Sequence, residues 1–181
     1  MPWFIWLACG FRSSALPHSP CEGTIVVMCH KIRLARVSDR AAVERIVRAA
    51  YSRYVPRMGK EPGPMLDDYA ALIGKRRVHV AEREDDVRGI LVLIPEKDAM
   101  LLDNIAVAPE AQGLGLGRKM LEFAEQEAAT AGYRTVRLYT NEAMVENIAL
   151  YLHMGFTEIH RGEENGFRRV YMSKKVARQP R

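Results

Sequence analysis

The stretch VAPEAQGLGLGRKMLEFAEQ, Val107 to Gln126, sets glycines at alternate positions, Gly113, Gly115 and Gly117, directly ahead of a helical pattern. A Walker A loop would need Gly-Lys followed by Ser or Thr, but Gly117 is followed by Arg118, Lys119 and Met120. The dinucleotide fingerprint fails as well, because the third glycine comes one residue early and the motif lies in mid-chain. The physical logic of such a turn survives both exclusions. Without Cβ atoms the main chain can be approached closely, and the first N–H groups of a helix have no internal partner. The helix dipole adds about half a positive charge at that end. Gly-x-Gly opening a helix is therefore a candidate site for phosphate or pyrophosphate. Arg118 and Lys119 cost about 0.3–1 kcal/mol at this end when nothing is bound, and a bound polyanion reverses the sign. The alternative is a tight strand-to-helix turn with its cations merely exposed.

Outward from this turn the pattern is regular. MLLDNIAVAP before it reads as a strand, apolar except for Asp103 and Asn104. The helix after it carries Leu116, Met120, Leu121, Ala124 and Ala128 on one stripe, and Gly132 is placed to end it. Upstream, HKIRLARV alternates as a strand, and Ser38 or Asp39 can cap a helix with Val43, Ile46, Val47 and Ala50 on its inner face. VPRMGKEPGPM, rich in Pro and Gly, breaks any regular element, and a short helix over about Leu66 to Ile73 follows. RVHVAERE and VRGILVLIP are strands about an EDD turn. Downstream, TVRLYT is a strand, and NEAMVENIALYLHM is a helix that Gly155 can stop. FTEIHR and FRRVYMSKK then flank Asn165-Gly166, a hairpin signal. The order is strand, helix, helix, three strands, helix, strand, helix, two strands, which is α/β with a mixed sheet.

The chain has 181 residues, 48% hydrophobic and 27% charged, which fits one globular domain with a sizeable core. The formal charge of +5 is uneven. Without Lys174, Lys175, Arg178 and Arg181 the remainder carries 23 basic and 22 acidic residues. The basic excess is thus a tail, read as a solvated end, and no nucleic-acid partner is expected. The apolar runs are too short for a membrane span. Cys9, Cys21 and Cys29 lie in the first thirty residues, with no C-x-x-C and no matching His cluster, so no disulfide framework and no metal are expected, and a reducing compartment is. Residues 1–28 begin MPWFIWLACGF without a preceding positive charge, unlike a secretory signal. They read as a poorly ordered extension or as the product of an early start, with Met28 as the alternative. The domain is expected over 29–175, with 176–181 a basic tail.

QGLGLG, Gln112 to Gly117, resembles the Q/R-x-x-G-x-G/A pattern of the GNAT superfamily of acetyl-CoA-dependent N-acetyltransferases. It sits after the fourth strand and opens the third helix, as in that family. TNEAMVENIALYLHMGF, Thr140 to Phe156, is similar to the family's second signature, which runs into L-Y-x-x-x-G-F. The element order matches from His30 to Lys175, about four-fifths of the chain. The resemblance implies a GNAT-like α/β fold, with a mixed sheet of about six to seven strands and helices on both faces. It implies acetyl-CoA as cosubstrate and a primary amine on a small molecule or peptide as acceptor; the short apolar runs and the cysteines point to no membrane partner and a cytoplasmic location. Homodimers are common in the family, though no feature of this sequence specifies one.

The resemblance also implies roles. Backbone amides from Gln112, Gly113, Leu114, Gly115, Leu116 and Gly117 through Arg118 would hold the pyrophosphate of coenzyme A. Main-chain groups about Ile105, Ala106 and Val107 would pair with the pantetheine arm, on a strand that splays from its neighbour. Asn141 or Asn147 would hydrogen-bond the cofactor, and Tyr151 matches a tyrosine that often lies near the thioester sulfur. Asn147 and Tyr151, four residues apart, share one helical face. A thiol has a reference pKa of ~8.5 and a tyrosine ~10, so passing a proton from phenol to thiolate is uphill by about 2 kcal/mol. The alternative for Tyr151 is a core aromatic. Asp103 could relay the amine proton through water or attract the ammonium, or equally satisfy nearby N–H groups. On the acceptor side the resemblance points to the segment after the first helix, with Tyr51 and Tyr54, and Asn104 joins them as a candidate. The histidines read as structural or exposed. The rival to an acetyltransferase is an acyl-CoA-binding or regulatory module without turnover.

Overall fold

A computed structural model describes residues 30–176. The expected N-terminal extension, the cysteines and residues 177–181 lie outside the described residues. In chain order, β1 (Lys31–Leu34) leads through a 3-10 turn into α1 (Arg40–Tyr51) and a one-turn α2 (Val55–Met58). Next come α3 (Tyr69–Gly74), β2 (Val78–Arg83), β3 (Asp86–Pro95) and β4 (Met100–Val107). The glycine turn opens α4 (Leu116–Thr130), followed by β5 (Thr135–Asn141), α5 (Val145–His153), β6 (Thr157–Glu164) and β7 (Phe167–Lys175). The strands make one sheet of seven, ordered β1-β2-β3-β4-β5-β7-β6. Among the described residues only β4 and β5 run parallel, joined by α4 as crossover; the expected mixed sheet is found.

Strand alternation decides which helix covers which face. Gly89 on β3 pairs with Val107, and a Cβ at Gly89 would meet the sulfur of Met120 at 2.8 Å. Glycine there lets α4 lie close to the sheet. Asn104, of opposite parity to Val107, hydrogen-bonds Tyr51 of α1 and Tyr69 of α3. The helices therefore cover both faces. The expected stripe Leu116, Met120, Leu121, Ala124 and Ala128 is buried. On α1, Val43, Ile46 and Val47 are buried as expected, and Tyr51 completes the face while Ala50 is only partly covered.

Punctuation follows local chemistry. Gly132 (φ +87°) and Gly155 (φ +85°) end α4 and α5 in the left-handed conformation. Asn165 (φ +53°) and Gly166 (φ +70°) form the turn between β6 and β7, both central residues at positive φ as a type I′ turn needs. Glu84 and Asp85 do the same between β2 and β3 without a glycine.

Three expectations need correction. Asp39 stands at the start of α1, but its side chain does not cap that helix. Its carboxylate accepts from the Arg36 N–H at 2.6 Å and from the Arg33 guanidinium at 2.7 Å. A charge-assisted bond to guanidinium outcompetes a neutral helix amide, and it holds the Asp39 carboxyl below its usual range. The Pro/Gly segment is not wholly irregular: Pro56 and Pro64 sit near the start of short helices, where a missing N–H loses no internal bond. Lys174 and Lys175 belong to β7 rather than to a free tail, and Lys174 pairs with Glu125 of α4 at 2.6 Å.

His79 on β2 is buried against Phe123 of α4, ring centroids 5.2 Å apart, and its Nδ1 has no partner among the described residues. Burial, aided by Arg76, depresses its pKa from 6.5 to about 4. The unfolded chain thus binds this proton first as pH falls, so the contribution is present above pH ~6.5 and is lost toward pH ~4. A shift of this size corresponds to roughly 3 kcal/mol. His79→Leu should flatten the fall in urea-unfolding free energy between pH 6.5 and 4 by about 2–3 kcal/mol, with stability at pH 7.5 held or improved. An unchanged slope would remove His79 as the cause.

Candidate active site

The site originates in a defect of the sheet. β4 pairs with β5 only from Met100 to Leu102, opposite Val136 to Leu138. Opposite β3, Val92 faces Asn104 and the adjacent Leu93 faces Leu102, so Asp103 is the extra residue of a bulge. Beyond it β5 continues along β7 alone, and β4 and β5 part. Consecutive residues Leu102 to Ile105 of β4 and Tyr139 to Asn141 of β5 line one cavity of about 140 Å³. Neighbours on a strand point to opposite faces, so a space that all of them reach lies in the plane of the sheet, in the wedge. A second cavity, about 370 Å³, runs on along Ile105, Ala106 and Val107 to the glycine turn.

At that turn Gly113 and Gly115 both have φ +77°, with nothing within 4 Å of a would-be Cβ. Gly115 is the N-cap of α4. The glycines there answer to backbone conformation, and the space before them is open. Gly117 has no such φ, and its Cβ would make an ordinary contact with Val107 at 3.9 Å. Gln112 Nε2 donates to the Val107 carbonyl at 3.0 Å, tying the turn to the end of β4. Gln112, Gly113, Gly115, Leu116, Gly117 and Arg118 all border the second cavity. Leu114 does not; its side chain is exposed. Arg118 is exposed and pairs with Glu122 at 3.0 Å, so part of its charge at the positive helix end is matched. The N–H groups of the first turn of α4, the unladdered edge of β4 and the open turn suit a phosphate-bearing chain that also offers amide groups.

Tyr51, Ile105, Asn147 and Tyr151 border both cavities and form the partition where they meet. Tyr151 is buried, packed edge-on against Phe156. Its hydroxyl makes no side-chain hydrogen bond among the described residues, and burial raises its pKa above the ordinary tyrosine value. Tyr51 donates to Asn104 Oδ1 at 2.7 Å and approaches the Ile105 carbonyl at 3.4 Å. Asn104 donates to the Tyr69 hydroxyl at 2.8 Å, and Tyr69 donates to the Pro64 carbonyl at 2.8 Å. The chain of bonds engages the Asn104 amide on both sides and fastens α1, β4 and the 62–69 segment together. Tyr54 lies in the second cavity, not beside the acids, with its hydroxyl between Arg53 (2.6 Å) and Asn147 Oδ1 (3.3 Å). Asn141 borders the first cavity and accepts from the Ala143 N–H at 2.9 Å.

Asp103 Oδ1 accepts from Tyr139 Oη at 2.5 Å, a side-chain bond across the wedge where the ladder stops. Sequence reading did not select Tyr139, nor Arg169, whose guanidinium lies 4.1 Å above the Tyr139 ring. The segment after α1, expected on the acceptor side for its aromatics and acids, also brings Asp67, which could equally have served only the start of a helix. Asp67 is an exposed residue that also borders this cavity; desolvation and then the Asp103 charge raise its pKa to about 6. Apart from the acids themselves, no signal in the sequence joins positions so far apart. Among the described residues no cluster of His, Cys, Asp or Glu suited to a metal ion occurs, and no helix is long and apolar enough to cross a membrane.

Comparison with known proteins fits this geometry. Residues 74–158 match the acetyltransferase (GNAT) domain model. A 5-NmdU N-acetyltransferase of Pseudomonas phage PaMx11 is 38% identical over 89 residues, which are 48% of this chain and 61% of that protein. The match therefore spans less than two thirds of the phage relative. An uncharacterized N-acetyltransferase of Escherichia coli is 28% identical over 137 residues, 71% of this chain and 82% of that one. The PaiA N-acetyltransferase of Thermoplasma acidophilum, solved with coenzyme A, shares the fold at a TM-score of 0.69 and 17% identity, over 82% of this chain and all (100%) of that one. Glycine turn, parted strands and relatives agree with that match: residues 74–158 carry an acetyltransferase domain of the GNAT type.

Proposed function

We propose that the protein transfers an acetyl group from acetyl-CoA to the primary amine of an acceptor by direct attack within a ternary complex. The observation that carries this is the meeting of two unlike cavities at Tyr51, Ile105, Asn147 and Tyr151. One follows a strand edge to a helix N-terminus; the other is bordered by carboxylates and aromatics. In this reading the N–H groups from Gln112 to Arg118 hold the pyrophosphate. Main-chain groups of Ile105 and Val107 pair with the pantetheine arm, those of Ala106 between them being turned to β3, and Asn147 or Asn141 bonds its polar groups. The thioester then lies at the partition.

The chemistry balances as follows. The acceptor ammonium gives up a proton, directly or through water, toward Asp103. The neutral nitrogen attacks the thioester carbon, and the tetrahedral oxyanion is met by a main-chain N–H of β4. The attacking nitrogen sheds its surplus proton to water, the C–S bond breaks as the neutral amide forms, and Tyr151 gives its proton to the departing thiolate and regains one from that water. Burial weakens Tyr151 as an acid. The same dry surroundings raise the basicity of a thiolate beside it, so the difference between the two, which sets the cost, changes less than either value.

Two variants test these assignments. Gly117→Glu places a carboxylate in the first turn of α4 at a position without backbone strain. Calorimetry should show acetyl-CoA affinity falling by about tenfold or more, and unaltered affinity would refute the phosphate site. Tyr151→Phe should lower turnover by about 10- to 100-fold while acetyl-CoA binding holds within about twofold. Full activity in that variant would take Tyr151 out of the chemistry. Thiol release across a panel of amines separates an enzyme from a module that only binds the cofactor: binding with no release on any amine would favour the latter.

A further inference from the structure

We infer that the acceptor enters the first cavity as a primary ammonium with no anionic group beside it, carried on a slender apolar arm; this rests on the acetyl-transfer reading above. Charge in a confined space sets this preference. Asp67 and Asp103 both border the cavity, and Asp67 feels the charge of Asp103. Arg169 is the one cation bordering it among the described residues. Its guanidinium donates to Glu164 at 2.5 Å, so its charge is already matched. Glu164 in turn accepts from Tyr171, which fixes that pair. The cavity therefore has a net negative lining. A carboxylate on the carbon bearing the amine would have to share about 140 Å³ with two like charges, whereas an ammonium alone is attracted by both.

The rest of the lining speaks for the arm. Met58, Pro62, Pro64 and Phe167 supply apolar surface around the acids. Lys60 closes the side between the roof and the β6–β7 turn: its Nζ donates to the Gly166 carbonyl at 2.7 Å and lies 3.6 Å over the Phe167 ring. With that bridge in place, an amine at the end of a chain reaches the partition more easily than one in the middle of a broad molecule.

The test uses the full chain and a matched set: pentylamine, norleucinamide and norleucine. The last two differ in replacing an uncharged amide by a carboxylate at nearly constant size. Thiol release with acetyl-CoA gives kcat/KM, and calorimetry on the CoA-loaded protein gives affinity independently of proton transfer. Norleucine should be at least about 30-fold poorer than norleucinamide in both. Asp67→Asn should narrow that gap to a few-fold while acetyl-CoA affinity stays unchanged. Equal use and equal binding of norleucine and norleucinamide would overturn the inference and leave acetyl transfer standing. An undiminished gap in Asp67→Asn would overturn the role of Asp67 as its source. Absence of thiol release with every amine would overturn the acetyl-transfer reading and this inference with it.

Discussion

β4 and β5 separate after Leu102, and the rest of the site depends on that separation. A sheet normally consumes the polar groups of its strands in ladders, because a buried N–H or C=O without a partner is costly. Here the bulge at Asp103 interrupts the register with β3 just as pairing with β5 ceases. The edge of β4 beyond that point is left for other partners. Protein groups satisfy it only in part: Tyr51 reaches the Ile105 carbonyl at 3.4 Å, and Gln112 takes the Val107 carbonyl at 3.0 Å. An extended molecule carrying amides can supply what the missing strand would have supplied.

Such a gap would close or flood unless something held its walls. Two sets of side-chain bonds do so. The Tyr51–Asn104–Tyr69–Pro64 chain fastens the roof segment to β4 from one face. The Tyr139–Asp103 bond spans the wedge itself. Both are buried or partly buried, where a satisfied polar network is rigid and an unsatisfied one is expensive. The same low polarity raises the pKa values of Tyr51, Tyr139 and Tyr151, chiefly by desolvation, so these hydroxyls stay protonated as donors. Structural support and the protonated state of these hydroxyls thus come from one cause, their withdrawal from water.

The legible parts of the sequence were those whose conformation depends on near neighbours. Gly132 and Gly155 end helices because they alone accept a positive φ cheaply, and Asn165-Gly166 turns a hairpin for the same reason. The buried stripe of α4 follows from helical spacing. Where competition between partners decided the outcome, local reading failed. Asp39 had a helix to cap, but Arg33, brought beside it by β1, bound it more strongly. Lys174, in the last strand by its pattern, read by its charge as part of a solvated end, but β7 carries it to Glu125 on α4. Tyr54 follows Tyr51 by three residues of tight helical turn and borders the second cavity alone, against Asn147, which spacing does not reveal.

By itself, then, the sequence determined the order of elements, the helix and hairpin ends, the sheet class and the open glycine turn that starts α4. All of these are written in spacings of a few residues and in the dihedral limits of glycine. Only the tertiary structure decided that Asp67 from the roof and Asp103 from the bulge share one cavity, that Asn104 is locked between two tyrosines, and that Tyr139 and Arg169 stand at the same place. Those meetings are set by strand order and by the point at which pairing stops. Both arise from the packing of the whole sheet, so no short window of sequence contains them.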